Sequence, residues 1–323
     1  MERLDAFMAR ANTAYYAAQD PFADFTTAPE ISQVFGELLG LWAAMQWQAM
    51  GAPSPVILAE AGPGRGTLMA DALRAIRRMV PDFAAALQLH LVENSPRLRT
   101  VQAAKLPGAI WHDTLDTLPR GPLLLLANEF LDALPIRQFV RRGSGWAERY
   151  VADGAFTEQP AAALDRAADD GEVVEVDEVA ITLTTALAER IAAQGGAALF
   201  IDYGPATSAP GDSLQALRGG TAANPLADPG SADLTAHVDF AALAQAARSV
   251  GAAVHGPLPQ GLFLARLGLF QRTGALARTQ QPATASRLLE SAKRLAEPDQ
   301  MGRLFKVLAV CHPALPLPAG FSE

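Results

Sequence analysis

The chain has 323 residues, half of them hydrophobic, with 34 acidic against 26 basic side chains and a single cysteine. That composition supports a sizeable core in one large domain, or one domain carrying an insertion, and the net charge of −8 would on average repel a phosphate backbone, which argues against a nucleic-acid partner. The lone Cys311 excludes an internal disulfide, the five histidines show no HxxxH or HxH spacing that would bind a metal, and no apolar run approaches the ~20 residues of a membrane span. The N-terminal stretch carries Glu2 and Asp5 and no hydrophobic signal core, so the expected location is cytoplasmic.

In chain order, residues 1–20 read as an amphipathic helix that Pro21 stops. The polar loop DFTTAPE, Asp24 to Glu30, leads into a second helix from about Ile31 to Met50. VILA (56–59) is a short buried strand, EAGPGRG a turn, and Thr67 to Met79 a helix. Further strands are expected at LQLHLV (87–92), AIWH (109–112), PLLLLA (122–127) and AALFI (197–201), with LFKVLAV (304–310) as the last. PLLLLA is the most apolar and should be central. Strands alternating with helical segments indicate an α/β fold with a largely parallel sheet.

Between the fourth and fifth strands, IRQFV and WAERYV flank a Gly-rich turn and read as a β-hairpin. Its arginines, Arg137, Arg141, Arg142 and Arg149, are expected to be solvated. GEVVEVDE (171–178) alternates as an exposed strand, and residues 203–233 read as a long Gly- and Pro-rich loop. The expected organisation is a single domain over 1–323. It comprises a helical cap at 1–52, a cofactor-binding half at 53–135, an inserted hairpin and helix at 136–196, and a C-terminal half at 197–323.

Glu60, Gly62, Gly64 and Gly66 form E-x-G-x-G-x-G between a strand and a helix. Glycines allow a tight turn and close approach of a ligand to the backbone, and the helix start offers free N–H groups. An acid at this turn suits the ammonium of S-adenosyl-L-methionine (SAM) and would repel a pyrophosphate. In the dinucleotide fingerprint G-x-G-x-x-G, counted from Gly62, the third glycine would fall at Thr67. A nicotinamide-dependent oxidoreductase is therefore the weaker reading, and no Gly-Lys-Ser/Thr phosphate loop is present.

Other acids cluster at strand ends. Glu93 follows the second strand and is a candidate for the ribose hydroxyls, or a plain surface acid. Asp113 follows the third and is a candidate for the adenine amino group. Asn128, Glu129 and Asp132 follow the fourth, where ligands of open α/β sheets bind; Asn128 or Asp132 could instead cap a helix. Asp202 ends the fifth. His237 is either a pocket residue or a structural histidine between a helix-capping Thr235 and an apolar face.

These stretches resemble the MidA family of SAM-dependent methyltransferases, which includes a mitochondrial protein-arginine methyltransferase acting in complex I assembly. The matching segments are DFTTAPEISQVFGE (24–37), EAGPGRGTLMAD (60–71), NEFLDALPIRQF (128–139), WAERYV (146–151), LFIDYG (199–204), DLTAHVDF (233–240) and MGRLFKVL (301–308). The resemblance implies a class I, Rossmann-like methyltransferase sheet with N-terminal helices and an inserted hairpin and loop region. It also implies SAM as cofactor and a protein substrate, a complex I subunit among the candidates. Gly62, Gly64 and Gly66 would hold the methionine part and Glu93 the ribose. Asn128, Glu129 and Asp132 would lie by the methyl group, and Thr27, Pro29, Glu30, Ser32 and Gln33 would fold over the cofactor. Two departures stand out: the N-terminal block lacks a Gly-rich lead, and Gly219 and Gly220 stand where a histidine is expected after LQALR. An arginine acceptor would call for carboxylate partners, Glu129 first, then Asp132 and Asp202. The alternative to an enzyme is a SAM-binding assembly factor that docks a partner through the hairpin and the long loop.

Overall fold

The apolar run that the sequence places at the centre is there: Leu123–Asn128 is a strand with all six residues buried. Burial of each of its leucines is worth roughly 1.5–3 kcal/mol, and a strand covered on both faces belongs in the middle of a parallel sheet. The computed structural model describes residues 1–19 and 26–322. Pro21, expected to end the first helix, and Asp24 and Phe25 of the polar loop lie outside the described residues. Contacts divide the chain into two compact units, one made of Thr27–Glu129, Thr185–Tyr203 and Ala244–Glu323, the other of Met1–Thr26, Phe130–Thr184 and Gly204–Leu243. The expected helical cap at 1–52 is thus divided between two units.

The first unit holds a seven-stranded sheet. Numbering only its strands, β1 is Val56–Ala61, β2 Leu87–Val92, β3 Ile110–His112, β4 Leu123–Asn128, β5 Gly196–Tyr203, β6 Ala253–Pro259 and β7 Phe305–Cys311. Their order across the sheet is 3-2-1-4-5-7-6. The first five pair in parallel, and β7 runs antiparallel to both β5 and β6. The chain order reverses between β1 and β4, and at such a switch point the connections leave in opposite directions and open a crevice beyond the strand ends. β6 was not foreseen. Its sequence AVHGPLP reads as a breaker, and it survives as an edge strand whose register shifts between His255 and Leu258.

The second predicted helix is in fact two. A short turn, Ala28–Ile31, is followed by Gln33–Ala49. Ser32 is extended, and its hydroxyl accepts the Val34 N–H at 3.3 Å, which starts the longer helix afresh. That helix lies close against Thr67–Met79: a Cβ on Gly36 would stand 2.7 Å from the Leu68 carbonyl oxygen, and one on Gly40 2.7 Å from the Ala72 Cα. Glu37 fastens the pair. Its carboxylate accepts from Arg74 Nη2 at 3.1 Å, Arg272 Nε at 2.7 Å and Gln33 Nε2 at 3.2 Å.

The second unit contains the predicted hairpin, Arg137–Arg142 with Gly145–Ala152. The sheet is larger than expected. Ala155–Ala161 pairs with the hairpin across Asp153 and Gly154, both at positive φ, the geometry of a two-residue hairpin turn. Val173–Val176 extends the sheet beyond Arg137–Arg142, and Glu2–Arg3 pairs with Tyr150 and Val151 of the second hairpin strand. Three expectations are corrected here. The segment 171–178 is not an exposed strand, because Val173 and Val174 are buried, Val174 against Phe139 and Trp146. The hairpin arginines are partnered: Arg137 binds Glu148 and Glu178, Arg142 binds Glu158, Arg149 binds Asp212 at 2.8 Å, and Arg141 lies over the Trp146 ring. The 203–233 segment contains structure, since Gln215–Arg218 pairs with both Thr221–Ala223 and Asp233–Thr235.

Gly219 and Gly220 form the turn between paired Arg218 and Thr221, with φ of 60° and 73°. Two consecutive left-handed residues favour glycine strongly, which accounts physically for the absence of the expected histidine. The core of this unit joins Leu4, Phe7, Met8 and Ala11 of the N-terminal helix Leu4–Ala18 to Ile136, Val151 and Leu234. The buried Asn12 carboxamide donates to the carbonyls of Ala133 and Leu234 and accepts the Leu234 N–H at 3.0 Å, tying three distant segments together.

Candidate functional site

In the first unit, the turn after β1 carries the predicted glycines. Gly62, Gly64 and Gly66 sit at φ of 64°, 53° and 72°, so each occupies backbone that other L-residues enter at a cost. Gly62 N–H donates to the Val92 carbonyl at the end of β2, and Gly66 N–H closes the turn on the Pro63 carbonyl at 2.7 Å. Gly66 is the N-cap of the helix Thr67–Met79. This brings the start of a helix, whose first N–H groups have no partner within the helix, to the crevice edge of the sheet.

Glu60 stands just before that turn, 3% exposed, and its Oε2 has no partner among the described residues. Burial pushes its carboxyl up to about 8, the nearby Glu93 carboxylate pushes the same way, and the Met69 backbone N–H opposes them. A buried acid without a counter-ion is costly to ionise. A cationic ligand group at this place would supply the missing charge. Glu93, at the end of β2, accepts the Ser95 N–H on Oε1 at 2.8 Å and the Gln102 amide on Oε2 at 3.1 Å. Burial raises its pKa, and those hydrogen bonds oppose the rise. The plain surface-acid alternative for Glu93 does not describe this half-buried, doubly bonded carboxylate. Asp113 is different: its side chain is 79% exposed and bound to Arg99 at 2.6 Å.

The segment from Thr27 to Gln33 is anchored at two places in this unit. Thr27 and Pro29 begin the short turn Ala28–Ile31. Glu30 accepts the Thr67 hydroxyl at 2.6 Å, and Lys105 donates to that same oxygen at 2.9 Å, so one end is held beside the glycine turn. The Ala28 N–H donates to Glu129 Oε1 at 3.0 Å, which holds the other end at the tip of β4. Glu129 also accepts from Asn128 Nδ2 on Oε1 at 2.9 Å, while Asn128 Oδ1 has no partner among the described residues. Glu129 adopts φ of 50°, uncommon for a residue with a side chain, and its N–H donates to the Ile201 carbonyl of β5. Burial raises its pKa against the Ala28 and Asn128 hydrogen bonds. Asp202, one residue beyond the Ile201–Asn128 register pair, is buried and accepts the Tyr203 N–H at 2.9 Å.

Asp132 and His237 belong to the other unit. Asp132 is buried in a turn, and its carbonyl accepts the Ala236 N–H; no helix follows it to cap. His237 is exposed and bonds through its backbone N–H to the Ser213 hydroxyl at 2.8 Å. Thr235 ends a strand and caps no helix; Asp239 takes that part, accepting the Ala242 N–H at 3.0 Å.

Sequence reasoning missed Gln102. It is 0% exposed on the helix Pro96–Lys105 and bonds both Gly64 and Glu93. Nothing local to residue 102 marks it; only the packed fold brings it to the turn. A groove of about 690 Å³ at the edge of the sheet, lined among others by Arg77, His90, Ile110 and His112, includes none of the predicted site residues.

Residues 38–258 match the family model for S-adenosyl-L-methionine-dependent methyltransferases. The chain is 36% identical to the mitochondrial protein arginine methyltransferase NDUFAF7 homolog of Drosophila melanogaster, over 96% of this chain and 80% of that one. It is 33% identical to the human protein arginine methyltransferase NDUFAF7, over 92% and 76%. Among solved structures, a superfamily relative from Burkholderia thailandensis bound to S-adenosyl-homocysteine superposes with a TM-score of 0.78 at 26% identity, covering 98% of this chain and 89% of that one. A buried acid with no counter-ion and one unpaired oxygen among the described residues, beside three left-handed glycines, fits the cationic, phosphate-free cofactor of such enzymes. With its 3-2-1-4-5-7-6 sheet, this chain belongs to the family of SAM-dependent methyltransferases, of the class I fold.

Proposed function

We propose that this enzyme methylates a protein arginine. The observation that carries the reading is Glu129: its Oε1 is taken by the Ala28 N–H and the Asn128 amide, which fixes the carboxyl group, while Oε2 accepts nothing from a described residue. A guanidinium is planar and keeps its charge up to pH ~12, and a fixed carboxylate is its natural partner. The relatives' names as protein arginine methyltransferases support the same acceptor.

In this reading Glu60 and the turn at Gly62, Gly64 and Gly66 hold the methionine part of SAM, and Glu93 holds the ribose. SAM supplies an electrophilic methyl group on a sulfonium. Glu129 orients the acceptor guanidinium through Oε2, with Asp202 the next carboxylate on the neighbouring strand. Its raised pKa means that the empty site holds the proton more readily, and an arriving guanidinium favours the ionised form. The segment 27–33, fastened to Thr67 and Glu129, limits access of water to that region. A complex I subunit is the proposed acceptor, on the strength of the family resemblance alone.

The test is transfer of labelled methyl from SAM to complex I subunits and to arginine-rich proteins, with Glu129→Gln in parallel. Transfer to arginine that drops by at least about tenfold in the variant, with SAM binding kept, is expected. Unchanged transfer would remove Glu129 from the site. SAM binding by the native enzyme with no arginine product would favour the docking-factor reading instead.

A further inference from the structure

Gln102 makes three hydrogen bonds, and each joins a different part of the cofactor region. Its Nε2 donates to the Gly64 carbonyl at 2.7 Å and to Glu93 Oε2 at 3.1 Å, and its Oε1 accepts the Trp111 indole N–H at 2.8 Å. An indole nitrogen can only donate, so Oε1 must face Trp111, and both amide hydrogens are left for the two acceptors. The orientation is therefore set by chemistry and not by choice of atom label. With no exposed surface, the amide has no water to exchange with.

We propose that Gln102 is a positioning residue of the cofactor site: it fixes the peptide at Gly64 and the carboxylate of Glu93 relative to one another. This rests on the reading that the glycine turn and Glu93 hold SAM. The two partners lie on connections after different strands, β1 and β2, and the Gln102 amide bonds directly to both. Ser95 N–H holds the other oxygen of Glu93, so with Gln102 in place both carboxylate oxygens are fixed by a donor, and each can still accept a further hydrogen bond. Leu106 and the Gln102 stem also back the turn directly, since a Cβ on Gly66 would stand 3.0 Å from Leu106 Cδ1 and 3.5 Å from Gln102 Cγ. The Gln102 bond holds down the pKa that burial raises at Glu93, and its loss lets that pKa climb.

The test is calorimetric titration of the purified protein with SAM from pH 6 to 9, using Gln102→Met, Trp111→Phe and the double variant, each with a thermal melt. Gln102→Met keeps the volume and removes all three bonds. It should weaken SAM binding by about ten- to a hundred-fold and move the acidic limb of the binding profile to higher pH, because Glu93 has lost a donor. Trp111→Phe frees the amide to turn over and should cost less, and the double variant should bind no more weakly than Gln102→Met. A Gln102→Met protein that binds like the native one with the same pH profile overturns the proposal. If that variant melts early, Trp111→Phe decides: weaker binding at a native melting temperature supports the proposal, and native-like binding overturns it. Failure of the native protein to bind SAM at all would remove the cofactor-site reading, and this inference with it.

Discussion

Glu37 and Glu60 lie in the same unit and are buried alike, 5% and 3% exposed, yet their surroundings are opposite in kind. Burial would raise the pKa of Glu37, but the guanidinium groups of Arg272 and Arg74 outweigh it and hold the carboxyl below its ordinary range. Glu60 has no ion pair among the described residues, and its carboxyl rises to about 8. The fold evidently can neutralise a buried acid with arginines when the acid serves packing, here the joining of three helices. Leaving the second acid uncompensated beside a glycine turn makes sense if its cation arrives from outside.

That contrast can be broken in order of size. Glu60→Gln should weaken SAM binding most, by about a hundred-fold, the usual scale for removing one partner of a buried charge pair. The same change should make the ligand-free protein more stable. The sign follows from the raised pKa: the folded state holds the proton on Glu60 more tightly than the unfolded chain, so its contribution is complete below the ordinary carboxyl pKa near 4.5 and is lost as pH rises through about 8. The gap in melting temperature between variant and native should therefore widen from pH 5 to pH 8. For the same reason SAM binding to the native protein should release a proton near neutral pH, seen as a dependence of the calorimetric heat on the buffer's ionisation enthalpy, and Glu60→Gln should lose that proton. A variant that is less stable at pH 8 than the native protein would contradict the account.

Glu37→Gln should act the other way, costing about 2 kcal/mol of stability in a denaturant titration. That is less than a wholly buried pair would lose, because Arg74 and Arg272 are about half exposed and can rehydrate. The smallest effect belongs to the other unit. Gly220→Ala puts a side chain at φ of 73° and should cost about 1 kcal/mol with SAM affinity unchanged. A change in affinity there would show that the Gly219–Gly220 turn does more than reverse the chain.

Much of the first unit was legible because buried parallel strands write themselves as apolar runs. Val56 to Ala59, Leu87 to Val92 and Leu123 to Ala127 all lie in strands, and the helix Thr67–Met79 has the expected ends. β6 was hidden because an edge strand tolerates the Gly256–Pro257 that a central strand would not. In the second unit the Asp153–Gly154 turn is a strong hairpin signal, but the alternation of residues 155–161 is weak, and Ala155–Ala161 went unnoticed. At the site, Glu60, Glu93 and Glu129 could be picked out because strand ends are few and acids there are conspicuous. Gln102 could not, since its role depends on contacts 38 residues away at Gly64 and with an indole on β3. Asp132 lies near Asn128 in sequence and His237 sits in a separate motif, and the contacts assign both to a different unit.

The most direct test of the central claim is a calorimetric titration of the native protein and Gly64→Val with SAM and with NADH. A β-branched side chain at φ of 53° closes the approach to the turn. The account predicts that the native protein binds SAM and not NADH, and that Gly64→Val, which folds but melts somewhat lower because valine is strained at this φ, loses SAM. Binding of NADH in place of SAM, or a valine variant that binds SAM as tightly as the native protein, would contradict it.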